Sequence, residues 1–550
     1  MKKQYRSLVF SLALLAACAP AVPTQSTKPG ATSQVPPPTA DRLREASSRY
    51  AATITAADLS RHLHIIASDE YEGRDTGSKG QKMAAEYIAN QFRADGLVGP
   101  VQGSDNPYYQ PVELVQARWG EAFLTVDGQR YDFLKDFYVH VQSTSPFEQE
   151  QALDLVFAGY GIEDAKYSDY TNLDVSGKTV IVLSGEPVGR NGRSLIDPAY
   201  AQSTWATDYR KKATLALQKG ANSILIVSGG SPADYNRLLE RVQHATERPV
   251  LKEGQAAPTR AATFVVSPEL GARILNTNAK GLQQYGQNVG NAGKAIASPF
   301  RPAAKVRAKV ERLYDPIPTE NVLGLVEGSD KKDEIIVVTA HYDHVGVENG
   351  QIFNGADDDG SGTVAVMELA QAFAQAKKDG FGPRRSILFM TVTAEEKGLL
   401  GSDYYTQNPV FPLQNTVANL NIDMIGRLDR KYQDNPNYVY VIGSDKLSST
   451  LHQISEEANQ MHTNLTLDYT YNDPDDPNRF YYRSDHYNFA KNNIPVVFYF
   501  NGVHEDYHRP TDTVDKILFP KMETITRLVF HTAWELANRE ERIVVDSNKR

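Results

Sequence analysis

The pattern of apolar and polar positions changes character along the chain. From about Ser47 it is helical, and SKGQKMAAEYIANQFRADGL (78–97) sets Met83, Tyr87, Ile88 and Phe92 on one face before stopping at Gly96. Between about 145 and 285 it turns to short β-type runs bounded by glycine, ALDLVFAGYGI and KTVIVLSG. YRKKATLALQKGANSILIVSG then reads as helix, glycine break and strand. From about Glu320 strands and helices alternate. EIIVVTA (334–340) and SILFMTVT (386–393) are near-continuous apolar runs, the pattern of strands covered on both faces. GTVAVMELAQAFAQA (362–376) has helical spacing, and VANLNIDMIG and IPVVFYF follow as further strands. The expected fold is therefore α/β, a mixed and mostly parallel sheet with helices on both faces.

Length adds domain count: 550 residues exceed one typical domain. A charged content of 23% and a net charge of −9 describe an ordinary globular chain and speak against a nucleic-acid partner, which selects basic surfaces. No internal repeat or membrane-spanning run is found. At the N-terminus Lys2, Lys3 and Arg6 precede an apolar run from Leu8 to Ala17, too short to span a bilayer and of the length of a secretory signal. It ends LLAAC, and Cys18 is the sole cysteine. This resembles the lipobox of bacterial lipoproteins, which implies a signal peptide at 1–17 and a lipid on Cys18. The resemblance places the mature chain outside the cytoplasm, on a bacterial membrane (the outer one, facing the periplasm) or secreted. Residues 18–45, rich in Pro, Ser, Thr and Ala up to residue 40, read as a flexible linker. With Cys18 used, no disulfide and no cysteine-based zinc site is expected.

Polar residues gather where the predicted strands end, which is where open α/β sheets carry their sites. His341 and Asp343 follow EIIVVTA, Glu395 and Glu396 follow SILFMTV, Asp423 ends ANLNID, and His508 lies beyond IPVVFYF. The acidic run GADDDGSG (355–362) precedes the predicted helix. His504–Glu505–Asp506–Tyr507–His508 spells H-E-x-x-H, but that motif needs a helix to bring both histidines to one face. Here it follows a strand and Asn501–Gly502, with Pro510 just beyond, so His504 and Glu505 are expected to line a loop. His344 is expected to be structural, and NDPDDPN (472–478) to be a solvated loop.

The ordered set His-x-Asp, Gly-Ala-Asp-Asp-Asp-x-Ser-Gly, Glu-Glu, Asn-x-Asp-Met, Ser-Asp-His and a final His before Pro-Thr-Asp-Thr resembles that of secreted co-catalytic zinc exopeptidases. Those include bacterial leucyl aminopeptidases, aminopeptidase Y and glutamate carboxypeptidase. The resemblance covers roughly 46–130 and 305–530, and the intervening segment resembles a protease-associated (PA) domain. It implies an N-terminal part of the peptidase domain at 46–140, a small β-rich PA-like insert at 141–300 and a catalytic part at 301–545. It also implies two zinc ions, His341 and Asp423 on one, Glu396 and His508 on the other, and Asp357 bridging them. Asp358 and Asp359 would shape the loop, and their charge suits a helix N-terminus. Asp343 would fix the His341 tautomer, Glu395 would be the general base, and Tyr481 would stabilise the tetrahedral intermediate. Asp485 and His486 would shape the pocket. Peptides are the implied substrates and an aminopeptidase the leading activity. A carboxypeptidase, a glutaminyl-cyclase-like enzyme and a non-catalytic receptor-like homologue are the alternatives.

Overall fold

The computed structural model describes residues 40–140, 147–229, 231–245, 249–251 and 262–547. The expected signal peptide, Cys18 and most of the linker lie outside the described residues. The linker is expected to extend to residue 45, yet a helix begins at Ala40, and Ala46 and Tyr50 are buried in the main core.

An eleven-stranded mixed sheet forms the body. Its strands include β1 (Tyr109–Val126), β2 (Val306–Val326), β3 (Lys331–His341), β4 (Arg385–Val392), β5 (Thr416–Ile422), β6 (Tyr438–Ile442), β7 (Thr466–Asp468) and β8 (Val496–Phe500). The path runs β1-β2-β4-β3-β5-β8-β6-β7. β4, β3, β5 and β8 are mutually parallel, and the flanking pairs β1/β2, β2/β4 and β8/β6 are antiparallel. The apolar runs are continuous because both faces are covered. Ile336, Val338 and Ala340 of β3 join one core with α1 (Gly362–Lys378) and α2 (Phe519–Asn538), while Ile335 and Val337 join a second core on the other face. After β3 the chain crosses to β4 on one side and later returns to β5 on the other. β3 is thus the switch point, where the strand ends open a crevice.

β1 and β2 are long and antiparallel, and they continue past the main sheet into a second layer. There Leu124 and Val126 of β1 and Val306, Ala308 and Val310 of β2 pack with Phe137, Phe264 and Tyr285. A separate five-stranded sheet (residues 137–139, 155–157, 179–183, 223–227 and 262–266) completes this layer, with helices including Tyr209–Gln218 and Ala279–Ala292. The expected insert boundary at 141 is therefore late. Phe137–Val139 already pairs with Ala262–Val266, because Val139 and Phe264 fill the same core.

Candidate metal centre

Each element brings one part of the site to the carboxyl ends of β3, β4, β5 and β8. β3 ends at His341 and β5 stops one residue before Asp423. Glu395 and Glu396 lie just past β4, and the turn after β8 brings His504, Tyr507 and His508. Three positions beside these groups adopt left-handed backbone: Ala394 (φ 56°), Met424 (φ 55°) and His508 (φ 53°). For residues with a Cβ this costs about 1–2 kcal/mol each, strain that the surrounding packing holds.

The acidic run separates into three environments. Asp357 is turned away from the crevice: its Oδ1 accepts the Gly426 amide at 2.6 Å and its Oδ2 faces His504 Nε2 at 3.2 Å. Asp358 lies between the histidines, with Oδ1 3.2 Å from His341 Nε2 and Oδ2 3.0 Å from His508 Nε2. Asp359 is committed to the backbone, accepting Gly362 N (2.8 Å), Met424 N (3.1 Å) and His341 N (3.3 Å). The central position, expected for Asp357, thus belongs to Asp358. The turn explains the offset: within Ala356–Ser361 both Asp358 and Asp359 have non-helical φ/ψ, so the three side chains diverge instead of following helical spacing.

Two donor clusters meet at Asp358. On one side are His341 Nε2 and Asp423, whose Oδ1 is 3.8 Å from that nitrogen. On the other are Glu396 and His508, with His508 Nε2 3.1 Å from Glu396 Oε2. His344, read from sequence as structural, also reaches this cluster, its Nδ1 2.8 Å from Glu396 Oε1. None of these close approaches has the alignment of a hydrogen bond, and buried oxygens of Asp358 and Glu396 have no hydrogen-bond partner. With bonds of about 2.0–2.2 Å to a common ion, neighbouring donors should lie about 3 Å apart. The donor set and its spacing therefore fit a metal, and cations would offset the buried carboxylates. Two such groups are present among the described residues, His341 with Asp359 and Asp423, and His344 with Asp358 and Glu396. Asp359 is the weaker donor because its oxygens already hold three amides.

The surrounding groups set orientation and charge. His341 Nδ1 donates to the Asp343 carbonyl at 3.0 Å, which leaves Nε2 as the free donor toward the crevice. The contact is made by the Asp343 main chain, and the carboxylate of Asp343 lies 3.9 Å from the ring. It instead accepts the Glu395 amide and the Thr76 hydroxyl. A relay of hydrogen bonds fixes Asp423. Asn419 donates to Thr339, Thr339 to Asn421, Asn421 to Ser484, and Ser484 to Asp423 Oδ2 at 2.7 Å. Arg74, from the N-terminal part, is fully buried and donates to the carbonyls of Ile66, Tyr342, Asn354 and Gly355, tying together the loops behind the site. Burial, opposed by nearby aspartates, lowers its pKa to about 10.

Burial pushes Glu395 well above the usual carboxylate range; His341 opposes this, and Glu396, Asp485 and Asp423 reinforce it. Burial likewise raises Asp485 to about 7 and Asp343 to about 6. Against burial, contact with Asp358 and Glu396 raises His508 to about 10. Against burial too, His344 and His508 help hold Glu396 near 2.

The cleft over these groups is lined by His341, Asp358, Glu395 and Asp423 on its floor. Met424, Phe480, Phe498, Phe500 and Val503 form an apolar wall, and Arg483 and Tyr507 stand at its edge. Tyr481 does not line it. Its ring packs on Tyr482, His486 and Tyr487 with the Lys446 ammonium 4.7 Å from its centroid. His486 stacks on Phe498. The H-E-x-x-H run is a turn, and only its second histidine reaches the donor clusters. Sequence reading missed Asp358, His344, Tyr507 and Arg483 as site residues. The available signal for Tyr507 was its place directly before His508.

Residues 321–533 match peptidase family M28. Aminopeptidase YwaD of Bacillus subtilis is 27% identical over 258 residues, 46% of this chain and 50% of that protein. A protein of Arthroderma otae named "Probable leucine aminopeptidase" is 30% identical over 237 residues, 42% of this chain and 61% of that one. The chain thus spans about half to three-fifths of the length of these relatives. The solved aminopeptidase from Aneurinibacillus sp. strain AM-1 aligns with 18% identity and a TM-score of 0.47 over 92% of this chain and 100% of that one. Residues 321–533, the span that matches peptidase family M28, carry every donor of both clusters.

Proposed function

We propose that the chain is a zinc-dependent aminopeptidase working on two zinc ions, with Asp358 shared between them. His341 and Asp423 would complete the first site, and Glu396 and His508 the second. One observation carries this reading: two donor clusters joined at a single carboxylate, with the uncommitted carboxylate of Glu395 beside them. The matched relatives named as aminopeptidases support it. When bound, zinc supplies Lewis acidity toward the scissile carbonyl and makes water more acidic.

The chain's own residues supply the rest. No described residue donates a hydrogen bond to the Glu395 carboxylate, so its oxygens are available to take a proton from the attacking water and deliver it to the leaving amine. The Tyr507 ring stacks on His508 with centroids 4.0 Å apart and lines the cleft, so its hydroxyl would be the donor to the developing oxyanion. The acidic floor attracts a cationic amino terminus, and the apolar wall accepts an apolar first side chain. A lipid on Cys18 would keep this chemistry outside the cytoplasm, as the residues before that cysteine support.

A carboxypeptidase is the second reading, favoured by Arg483. This exposed guanidinium lines the cleft, lies 4.9 Å from the Phe480 ring centroid and makes no ion pair with a described residue. It would suit a substrate carboxylate. Assay of the zinc-loaded protein on free, N-blocked and N-terminal glutaminyl peptides separates the readings. An aminopeptidase cleaves only with a free amino terminus. Cleavage of N-blocked peptides from the carboxyl end decides for the alternative, and cyclisation without hydrolysis rejects both.

A further inference from the structure

His344 is the donor that the five-ligand set leaves out. It follows His341 by three residues, and its backbone amide donates to the Arg74 carbonyl at 3.3 Å. Its ring is completely buried against Gly355, where an added Cβ would come within 2.5 Å of the imidazole carbons. Only glycine at 355 lets the ring sit there, and Gly355 has the left-handed φ (55°) that glycine adopts freely.

The position of the ring is informative because of what it does not do. Buried polar atoms are nearly always hydrogen-bonded. His344 Nδ1 lies 2.8 Å from Glu396 Oε1, close enough for a hydrogen bond, yet neither atom has an aligned partner. Nδ1 is also 3.8 Å from Asp358 Oδ2. Two donors that approach without pointing at each other are arranged to point at something between them. The same holds for His508 Nε2, 3.0 Å from Asp358 Oδ2 and 3.1 Å from Glu396 Oε2. His344 and His508 therefore stand around the same two carboxylates, their ring centroids 5.7 Å apart and their planes crossed at 72°.

We infer that His344 is a fourth protein ligand of the second ion, joining Glu396, Asp358 and His508. This rests on the two-ion reading above and sharpens it, because the two sites become unlike. The first offers one imidazole and carboxylates. The second offers two imidazoles and carboxylates, a set better matched to zinc than to oxygen-seeking ions such as manganese or magnesium. The second site is then the tight, zinc-selective one, and the first exchanges its ion more readily.

The test uses the metal itself on the full-length chain, stripped by chelator and refilled. Cobalt(II) in both sites shifts the exchangeable N–H proton of every ligating imidazole far outside the normal proton NMR window. The inference expects three such resonances, from His341, His344 and His508, and two would overturn it. In parallel, zinc titration against a competing chelator should resolve a tight and a weak class. His344→Gln should weaken the tight class by about 100-fold or more, at or beyond the upper end of what an outer hydrogen bond contributes. The weak class should stay within a few-fold, with the fold intact by circular dichroism. Unchanged zinc binding by His344→Gln overturns the inference. A wild-type chain that binds one ion, lost in His344→Gln, keeps His344 as a ligand and removes the two-ion reading. A single ion untouched by the substitution overturns both.

Discussion

Asp357 and Asp358 are adjacent, chemically identical and both buried, yet the structure assigns them opposite tasks, and a matched pair of isosteric substitutions separates those tasks. Asp358→Asn removes the charge that stands 3.2 Å from His341 Nε2 and 3.0 Å from His508 Nε2. A carboxylate and a dication about 4 Å apart attract by roughly 8 kcal/mol at an effective dielectric of about 20. Asparagine keeps one ligating oxygen, and water replaces part of the rest. A net loss of about 3–4 kcal/mol is expected, or roughly 10²- to 10³-fold in zinc affinity. Asp357→Asn touches different partners, the Gly426 amide and His504. It loses one charge-assisted contact, about 1.5–3 kcal/mol of folding stability, while the donor clusters remain. Zinc titration in competition with a chelator, run beside thermal unfolding of the metal-free proteins, reads both quantities. The expected result is low zinc affinity with little change in metal-free stability for Asp358→Asn. Asp357→Asn should give the converse. If Asp357→Asn loses zinc and Asp358→Asn retains it, the assignment of the shared carboxylate is wrong.

Ser484→Ala breaks the relay that holds Asp423 and should weaken zinc binding by about 10- to 100-fold. Activity at saturating zinc should stay near wild type, so an unchanged chelator competition curve would count against the relay. Arg74→Met leaves four buried carbonyls without their donor and should cost about 4 kcal/mol or more of stability. Arg74→Lys, with fewer donors in the wrong geometry, should recover only part of that. A melting temperature for Arg74→Met equal to wild type would refute this role. Removing the metal should itself destabilise the fold, since the carboxylates then face one another without cations. Zinc should raise the melting temperature in a concentration-dependent way, and a temperature indifferent to zinc would contradict the fit of the donor set.

The sheet and the edge that carries the site were legible because β3, β4, β5 and β8 are covered on both faces. Their apolar runs are uninterrupted, and polar residues could begin only where each strand left the core. β1 and β2 were not legible. Their strand pattern is broken by Pro111 and Gly120 in one and by Pro316 and Pro318 in the other, and their pairing is long-range. The individual aspartates of the acidic run were beyond sequence reading for a related reason. Which carboxylate enters the crevice depends on backbone angles at Asp358 and Asp359 that follow neither helical nor strand periodicity. Tyr481 and Tyr507 show the same limit. Both lie near site motifs, but only the turn after β8 carries its tyrosine into the cleft. His344 carries no signal of its own beyond its place after His341 and Asp343, and its approach to Glu396 comes entirely from the fold.

In the proposed mechanism Glu395 moves the proton while other side chains hold the ions. Glu395→Gln tests it most directly, with bound zinc and peptide hydrolysis measured on the same preparation. Zinc content equal to wild type is expected, with turnover reduced by about 10²- to 10⁴-fold. Wild-type turnover, or loss of zinc in parallel with activity, would contradict it.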